Sequence, residues 1–264
     1  MNHLNYIGCK HTLLPTLHKL IQQHIPDLQH RELADLFAGT GVVGFHFLPT
    51  VASVASNDLE YYSYVTNRAL LQCYYSTRLK TLIQECNQLP GVVGLVTTHY
   101  STHGEGTRMF FTPENAQKCD AIRQHLNLLL AQARLSTMEF YFLLASLIQS
   151  TDRVANTSCV YGAYLKQWKQ SAQKPLQLQP IHTHTSPHQW DDLRLIRDTV
   201  QVLESRIDTG CPQWDEVLEW SQVTLIPRYL HWAEAVWRDT ETIHTQYAYS
   251  LAVSYTHLTL PTKA

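Results

Sequence analysis

Three glycines and two acidic residues near the beginning of the chain have the types and spacing of a nucleotide-binding site. Gly39, Gly41 and Gly44 follow the pattern Gly-x-Gly-x-x-Gly. The first two glycines of this pattern allow a tight turn and a close approach of the backbone to a ligand, and the third lets a helix pack on a strand. Asp35 precedes the loop, and Asp58 follows it by about 20 residues, where an acid binds a ribose diol. The pattern predicts a nucleotide loop, and the alternative is a glycine turn with a helix-capping aspartate.

The elements that must position these residues are also visible in the sequence. Residues 33–38 are typical of a short buried strand, residues 42–48 of the opening of a helix, and residues 51–56 of a second strand. Asp58 then follows the second strand of a strand-helix-strand unit. This context favours a nucleotide-binding unit over an isolated glycine turn.

The position of Asp35 distinguishes between two kinds of cofactor. A dinucleotide would place its pyrophosphate at the N-terminus of the helix, and a carboxylate just before the loop would repel that charge. S-adenosylmethionine has no phosphate and carries a cationic sulfonium and an amino group, for which the carboxylate is favourable. The residues therefore predict S-adenosylmethionine as the cofactor.

The composition limits the class of protein and its compartment. The 264 residues, 44% of them hydrophobic, are enough for one large α/β domain with an insertion. No run of about 18 apolar residues could span a bilayer, and residues 1–25 lack the features of a signal peptide, so we expect a cytoplasmic protein with no membrane partner. The six cysteines form no Cys-x-x-Cys pair, which argues against a zinc ribbon and a disulfide framework. We expect free thiols and no metal.

The middle of the chain is basic and largely helical. Residues 61–175 hold eleven Lys or Arg against six Asp or Glu, as expected for a segment that neutralises phosphates. Residues 115–134 predict a helix whose start is capped by Thr112, and residues 137–149 predict a buried helix. Residues 166–187 are polar and predict a loop or return connection.

Three short blocks carry the most specific pattern: residues 6–14 (YIGCKHTLL), residues 35–44 (DLFAGTGVVG) and residues 56–60 (SNDLE). Together they resemble the adenine-specific DNA methyltransferases of the Dam-like class. In that family the first block borders the methionine end of the cofactor, the second is the main cofactor loop, and the third contacts the ribose and adenine. Residues 110–116 (FFTPENA) and 152–163 (DRVANTSCVYGA) resemble a restriction-modification branch of the class.

The resemblance implies an α/β chain with a Rossmann-like S-adenosylmethionine-dependent methyltransferase fold and a mainly helical target-recognition insertion. Residues 1–75 would form the N-terminal part of the cofactor-binding domain, residues 76–185 the helical DNA target-recognition insertion, and residues 186–211 the return to the first domain. The implied reaction is site-specific transfer of a methyl group to the exocyclic amine of adenine. The implied partners are double-stranded DNA and a cognate restriction endonuclease system.

The site residues that the resemblance implies fall into two groups. The expected cofactor-binding residues are Tyr6, Lys10, Asp35, Phe37, Ala38, Gly39, Gly41, Asp58, Leu59 and Asp198. The expected DNA-binding residues are Arg108, Arg153, Asn156, Tyr161 and Lys166. Asn156 could pair with an adenine edge or cap a turn, and Tyr161 could stack on a displaced base or pack inside the protein.

The catalytic motif of the family, an Asp or Asn followed by two prolines and an aromatic residue, is not found in the chain. No two prolines are adjacent. Residues 196–203 are similar to the element that normally precedes the motif, and Asp198 and Asp215 are the nearest candidates to accept the adenine amine. Because the motif accepts the amine hydrogens and stacks on the flipped base, we expect a chain that folds and binds cofactor but has impaired catalysis. Catalytic residues stay unassigned.

The end of the sequence changes in character. Residues 200–250 hold three Arg and no Lys against eight acidic residues, and residues 252–264 resemble translated sequencing-adapter read-through. We interpret residues 212–264 as a divergent, non-native tail, as a frameshift would produce. Two alternatives stay open for the protein as a whole: an RNA or small-molecule methyltransferase on the same scaffold, and an inactive DNA-binding remnant.

Overall fold

A parallel sheet and the helix between its first two strands form the centre of the N-terminal part of the chain. The computed structural model describes residues 9–35, 37–58, 60–104, 107–158, 161, 163–183 and 195–196. Within them, β1 (Glu32–Asp35), β2 (Ser53–Asn57) and β3 (Leu195–Ile196) are hydrogen-bonded in that order, all parallel. Parallel neighbours need a crossover connection, and α2 (Val42–Phe47) lies between β1 and β2. The predicted strand-helix-strand unit is confirmed.

Both strands of the unit are displaced from their predicted bounds by a few residues. The predicted first strand reached Ala38, whereas β1 ends at Asp35. After that residue the chain turns into the glycine loop, and Ala38 donates its backbone N–H to the carbonyl of Asn57 at 2.9 Å. The chain after β1 thus still forms one backbone hydrogen bond to β2, although β1 itself has ended.

The remaining α-helices of the described residues are α1 (Leu14–His24), α3 (Tyr61–Gln72), α4 (Thr77–Gln88), α5 (Leu95–Tyr100), α6 (Pro113–Ala131) and α7 (Thr137–Arg153). The predicted start of α6 is confirmed, because the Thr112 side chain accepts from the backbone N–H of Asn115 at 3.3 Å. Pro113 stands in the first turn, where its missing N–H is harmless. None of the helices in this part of the chain is long and apolar enough to cross a membrane.

The helix α7 begins with a reciprocal cap. It is also buried, and its burial was predicted from the sequence. Ser136 Oγ accepts from the backbone N–H of Glu139 at 3.2 Å, and Glu139 Oε2 accepts from the backbone N–H of Ser136 at 2.9 Å. Such a capping box satisfies two donors at the helix end. Phe142 and Leu143 in the middle of α7 are 0% exposed. They belong to the same hydrophobic core as Val54 of β2.

Residues 166–183 contain no helix or strand, which confirms the predicted connection over its described part. Two asparagines hold its backbone. Asn115 donates to the carbonyl of Lys174 at 2.9 Å and accepts from the N–H of Leu176 at 2.7 Å. Asn87 donates to the carbonyl of Leu178 at 2.9 Å and accepts from its N–H at 2.8 Å. We call residues 172–178 the strap.

Candidate functional site

The loop between β1 and α2 has the tight geometry that its glycine spacing predicts. Gly39 and Gly41 have φ angles of 51° and 77°, in the left-handed region that favours glycine. A Cβ on Gly41 would lie 2.9 Å from Asn67 Oδ1, and a Cβ on Gly44 would lie 3.0 Å from Ser56 Oγ. The first two glycines therefore serve the turn, and the third lets α2 pack directly on β2.

Asp58, the acid after β2, lies against this loop. Its Oδ2 accepts the backbone N–H of Gly39 at 2.7 Å, and its Oδ1 accepts the backbone N–H of Glu60 at 3.0 Å. An ionised carboxylate has about four lone-pair positions, so two further hydrogen bonds remain open to it. The structure thus brings the second acid of the pattern to the glycine loop.

Asp35 is the most unusual polar group at the end of β1. Its Oδ2 is buried and accepts no hydrogen bond from the described residues. Burial raises the pKa of Asp35; the charge of Lys10 and the backbone N–H of Phe37 lower this pKa, and the charge of Asp58 raises it further. An unpaired buried carboxylate oxygen is costly, which points to a donor or cation that the described residues do not supply.

Three other predicted cofactor residues surround the same loop. Lys10 donates from Nζ to the carbonyl of Phe37 at 3.3 Å. Phe37 is 47% exposed, so its ring is available as the wall of a pocket, whereas Ala38 is buried. Tyr6, Leu59 and Asp198 lie outside the described residues, and so do residues 212–264.

Two residues that the sequence did not single out hold the loop from α3. The Ser63 hydroxyl and the Asn67 amide both donate to the backbone carbonyl of Gly39. Ser63 is 0% exposed and Asn67 is 1% exposed. Their only sequence signal is that two small polar residues stand one helical turn apart, soon after Asp58.

Asn156, a predicted DNA contact, is an internal residue. It is 0% exposed, and its Nδ2 donates to the carbonyls of Met109 at 3.0 Å and Leu165 at 2.9 Å. Its Oδ1 accepts the backbone N–H of Lys169 at 2.9 Å. Both amide hydrogens and the amide oxygen of Asn156 are thus bonded to the protein backbone. This corrects the prediction that Asn156 pairs with an adenine edge and favours the turn-capping alternative.

The other predicted DNA contacts are at least partly accessible. Lys166 and Arg108 are exposed, and Arg108 donates to the carbonyl of His99 at 3.3 Å. Arg153 is half-buried and donates to the side chains of Gln149, at 3.0 Å, and Gln179. Among the described residues none of these three cations forms an ion pair with an acidic side chain, so they can attract phosphate.

Tyr161 is partly packed and partly exposed, so both roles of its sequence context stay open. Its ring lies 6.3 Å from that of Phe110 with an interplanar angle of 12°, while the residue stays 46% exposed. Burial of the hydroxyl end, followed by the Asp152 carboxylate and the Cys119 thiol, raises the pKa of Tyr161. One end of the side chain therefore packs, and the rest of it faces outward.

Comparison with known proteins places this site in a family. The model of the D12 class N6 adenine-specific DNA methyltransferases matches residues 6–191, which include the glycine loop and both acids. The chain belongs to this family. The D12 class match implies a methyl donor, and it ends before Asp198.

Curated relatives agree with the D12 class assignment. The chain is 41% identical over 181 residues to the type II methyltransferase M.NlaIII of Neisseria lactamica, covering 67% of this chain and 54% of that relative. It is 40% identical over 190 residues to the type II methyltransferase M.CviAII of Paramecium bursaria Chlorella virus 1, covering 70% and 56%. The chain thus spans about half the length of these relatives. No solved structure matches it.

The described residues offer no ready metal site. No three side chains of His, Cys, Asp or Glu come together there in a group that could hold a metal ion. His182 is among the described residues, whereas the nearby His184 and His188 are not.

Proposed function

We propose that this D12 class chain binds S-adenosylmethionine at the loop between β1 and α2, and that it is a site-specific methyltransferase for the exocyclic amine of adenine in double-stranded DNA whose catalysis is impaired in the chain as written. The observation that carries the proposal is the Oδ2 of Asp35 beside the glycine turn, which is buried and has no hydrogen-bond partner within the part of the chain that the structure describes. S-adenosylmethionine meets both requirements: it is a methyl donor, as the family needs, and it is a cation with an amino group that can donate to Asp35.

Each residue of the loop has a distinct part in binding. Asp35 would accept hydrogen bonds from the amino group of the cofactor, which would compensate its buried charge. Asp58 would use its two free lone-pair positions for the ribose hydroxyls while it continues to hold Gly39. Phe37 would cover one side of the pocket, and Lys10 would fix the end of the loop through the Phe37 carbonyl. When bound, the cofactor supplies a methyl group on a cationic sulfonium.

The finer fold proposal is a Rossmann-like domain interrupted by a DNA-recognition insertion. Residues 1–75 and 186–211 would build the cofactor domain, and residues 76–185 the insertion. Support comes from β3, which pairs with β2 although the helices α3 to α7 lie between these two strands in the sequence. The insertion would fold together with the first domain, because Phe142 and Val54 share one core.

The basic segment supports a DNA-facing role for the insertion. Exposed Lys166 and Arg108, half-buried Arg153 and the outward part of Tyr161 are its candidate contacts. Asn156 would act indirectly by shaping the loop that carries Tyr161. Relatives are named type II methyltransferases, so we include a cognate restriction endonuclease system as the partner of the activity.

Calorimetry on the full chain tests the cofactor part of the proposal. Titration with S-adenosylmethionine and with its demethylated product should show binding. Asp35→Ala should weaken binding by roughly 1–3 kcal/mol because a charge-assisted hydrogen bond is lost. Asp27→Ala, which changes an exposed carboxylate bonded to His30, is the matched control. Equal affinity in wild type and Asp35→Ala would remove Asp35 from the site.

Salt dependence tests the DNA part and separates the alternatives. Affinity for duplex DNA should fall with added salt, with a logarithmic slope of about 0.9 for each phosphate neutralised. Lys166→Ala should reduce that slope by about one phosphate equivalent. Cofactor binding without any DNA binding at low salt would favour a small-molecule methyltransferase. Preference for RNA would favour the RNA alternative, and DNA binding without cofactor binding would favour the inactive remnant.

A further inference from the structure

We propose that Ser63 and Asn67 of α3 are positioning residues that hold the glycine loop in its cofactor-binding conformation by clamping the carbonyl of Gly39. This inference rests on the proposed cofactor site and adds to it two residues outside the predicted site.

The peptide groups on both sides of the Gly39 α-carbon are held by side chains from the β2–α3 segment. The backbone N–H of Gly39 donates to Asp58 Oδ2 at 2.7 Å. Its carbonyl accepts from the Ser63 hydroxyl and from Asn67 Nδ2, the latter at 3.3 Å. Asn67 Nδ2 also donates to the carbonyl of Ser63 at 2.9 Å, which joins the two clamping residues to each other.

Hydrogen bonds rather than side-chain packing hold the α-carbon of Gly39 on its open side. A Cβ built on Gly39 would meet no atom of the described residues within 4 Å. Its φ of 51° lies in a region that an unrestrained glycine leaves readily. The conformation of the loop therefore depends on the donors and the acceptor that reach Gly39 from the β2–α3 segment.

Asn67 also touches the second glycine of the loop. Its Oδ1 would lie 2.9 Å from a Cβ on Gly41, and this oxygen is buried without a hydrogen-bond partner among the described residues. An apolar side chain would avoid an unpaired acceptor at this place. The amide is useful here because its nitrogen binds the carbonyl of Gly39, while its oxygen leaves room for no Cβ at position 41.

Thr66 on the same helix shows what a buried hydroxyl without this role looks like. It is 3% exposed, and its hydroxyl donates to the carbonyl of Tyr62 at 2.8 Å, within its own helix. It is buried like Ser63 and Asn67, but its hydroxyl bonds its own helix where theirs bond the loop. Thr66→Val is therefore a matched control for loss of a buried hydroxyl.

The test compares Ser63→Ala, Asn67→Leu and Thr66→Val in the full chain. Calorimetry gives the dissociation constant of the demethylated cofactor product, and urea unfolding gives stability. Loss of one hydrogen bond to the loop should weaken binding by about 3- to 10-fold in Ser63→Ala. Asn67→Leu should weaken it at least as much, and Thr66→Val should stay within about twofold of wild type. Ser63→Thr keeps a hydroxyl and should restore binding.

Hydrogen exchange in the ligand-free protein separates positioning from a general loss of stability. The Gly39 and Gly41 amides donate to Asp58 and to the Ala38 carbonyl, and both should exchange faster in Ser63→Ala but not in Thr66→Val. Unchanged affinity and unchanged exchange in Ser63→Ala would overturn the inference. If Asn67→Leu does not fold, the Ser63→Ala and Ser63→Thr pair decides. If folded wild type binds no cofactor, the proposed function fails, while the exchange rates still decide whether Ser63 positions the loop.

Discussion

Gly39 donates its backbone N–H to Asp58 Oδ2 at 2.7 Å, so the first glycine of the loop is joined directly to the acid that follows β2. The two residues of the sequence pattern therefore depend on each other. A ligand that draws on the remaining lone pairs of Asp58 also acts on the residue that sets the turn.

Asp58→Asn tests this dependence. The amide keeps the size of the side chain but presents an NH₂ group to one of the two backbone N–H groups, those of Gly39 and Glu60. We expect the free energy of unfolding to fall by about 1–3 kcal/mol, together with weaker cofactor binding. Urea unfolding and calorimetry measure the two effects. Weaker binding without any loss of stability would mean that Asp58 contacts the ligand but does not brace the loop.

Asp35→Asn should stabilise the ligand-free protein and weaken its cofactor binding. Folding raises the pKa of Asp35 above its value of 3.8, chiefly through burial. The free energy of unfolding therefore falls as the pH rises from 3.8 through the folded pKa, so stability that is present in acid is lost above that pKa. An uncharged amide removes that effect but loses about 1–3 kcal/mol of cofactor binding. Unfolding curves at pH 7 and calorimetry should move in opposite directions; a loss of stability in Asp35→Asn contradicts the prediction.

Alanine at the two turn glycines should have unequal effects. Gly39→Ala adds a side chain into open space, so only its positive φ matters, at about 1–2 kcal/mol. Gly41→Ala adds a clash with Asn67 and Leu70 to the same backbone strain, for a total of roughly 2–5 kcal/mol. Denaturant midpoints give the order. A Gly39→Ala variant that is the less stable of the two would be inconsistent with this geometry.

The contact between α1 and α2 should weaken in acid. His18 Nδ1 and His46 Nε2 lie 2.9 Å apart, and burial, followed by the charges of His18 and His11, lowers the pKa of His46 from its usual 6.5. The unfolded chain therefore takes up a proton more readily, and stability present above pH 6.5 is lost as the pH falls through the folded pKa. His46→Gln should flatten the dependence of the urea midpoint between about pH 7 and pH 5. An equally steep dependence in that variant would assign the effect to other groups.

The chain as written should not methylate adenine at a useful rate. Its sequence has no Pro-Pro pair, and positioning of reactants can account for about 7–11 kcal/mol of a barrier. The measurement is transfer of a labelled methyl group to mixed-sequence DNA. A version in which the residues after Pro187 are replaced by a frame-corrected tail with the family motif is the positive control. Turnover by the unmodified chain would refute the prediction and would point to Asp198 or Asp215 as the acceptor.

Local signals in the sequence predicted the parts of the fold that neighbouring residues determine. Glycine spacing predicted the turn between β1 and α2, and Thr112 with Pro113 predicted the start of α6, because caps and turns depend on residues a few positions apart. The clamp could not be predicted in this way. Ser63 and Asn67 reach Gly39 across 24 and 28 residues, and only the packing of α3 beside the loop brings them together.

Asn156 shows the limit of assigning roles by residue type. An amide that can pair with a base can equally bond the backbone, and the choice depends on burial, which the sequence of one short loop does not contain. At 0% exposure the side chain meets only protein groups. Lys166, in the same region of the chain, is exposed instead. This region therefore holds both an internal support and a candidate phosphate contact.

The strap is attached by its peptide groups and by its buried side chains, those of Ala172, Leu176 and Leu178. Asn87 and Asn115 bond only backbone N–H and C=O groups of the strap. Every amino acid except proline carries both groups, so outward positions such as Lys174 and Gln177 are free to vary while the attachment persists. Substitutions at these exposed positions could therefore accumulate during evolution, and the surface of the proposed insertion could acquire new specificities without the core being rebuilt.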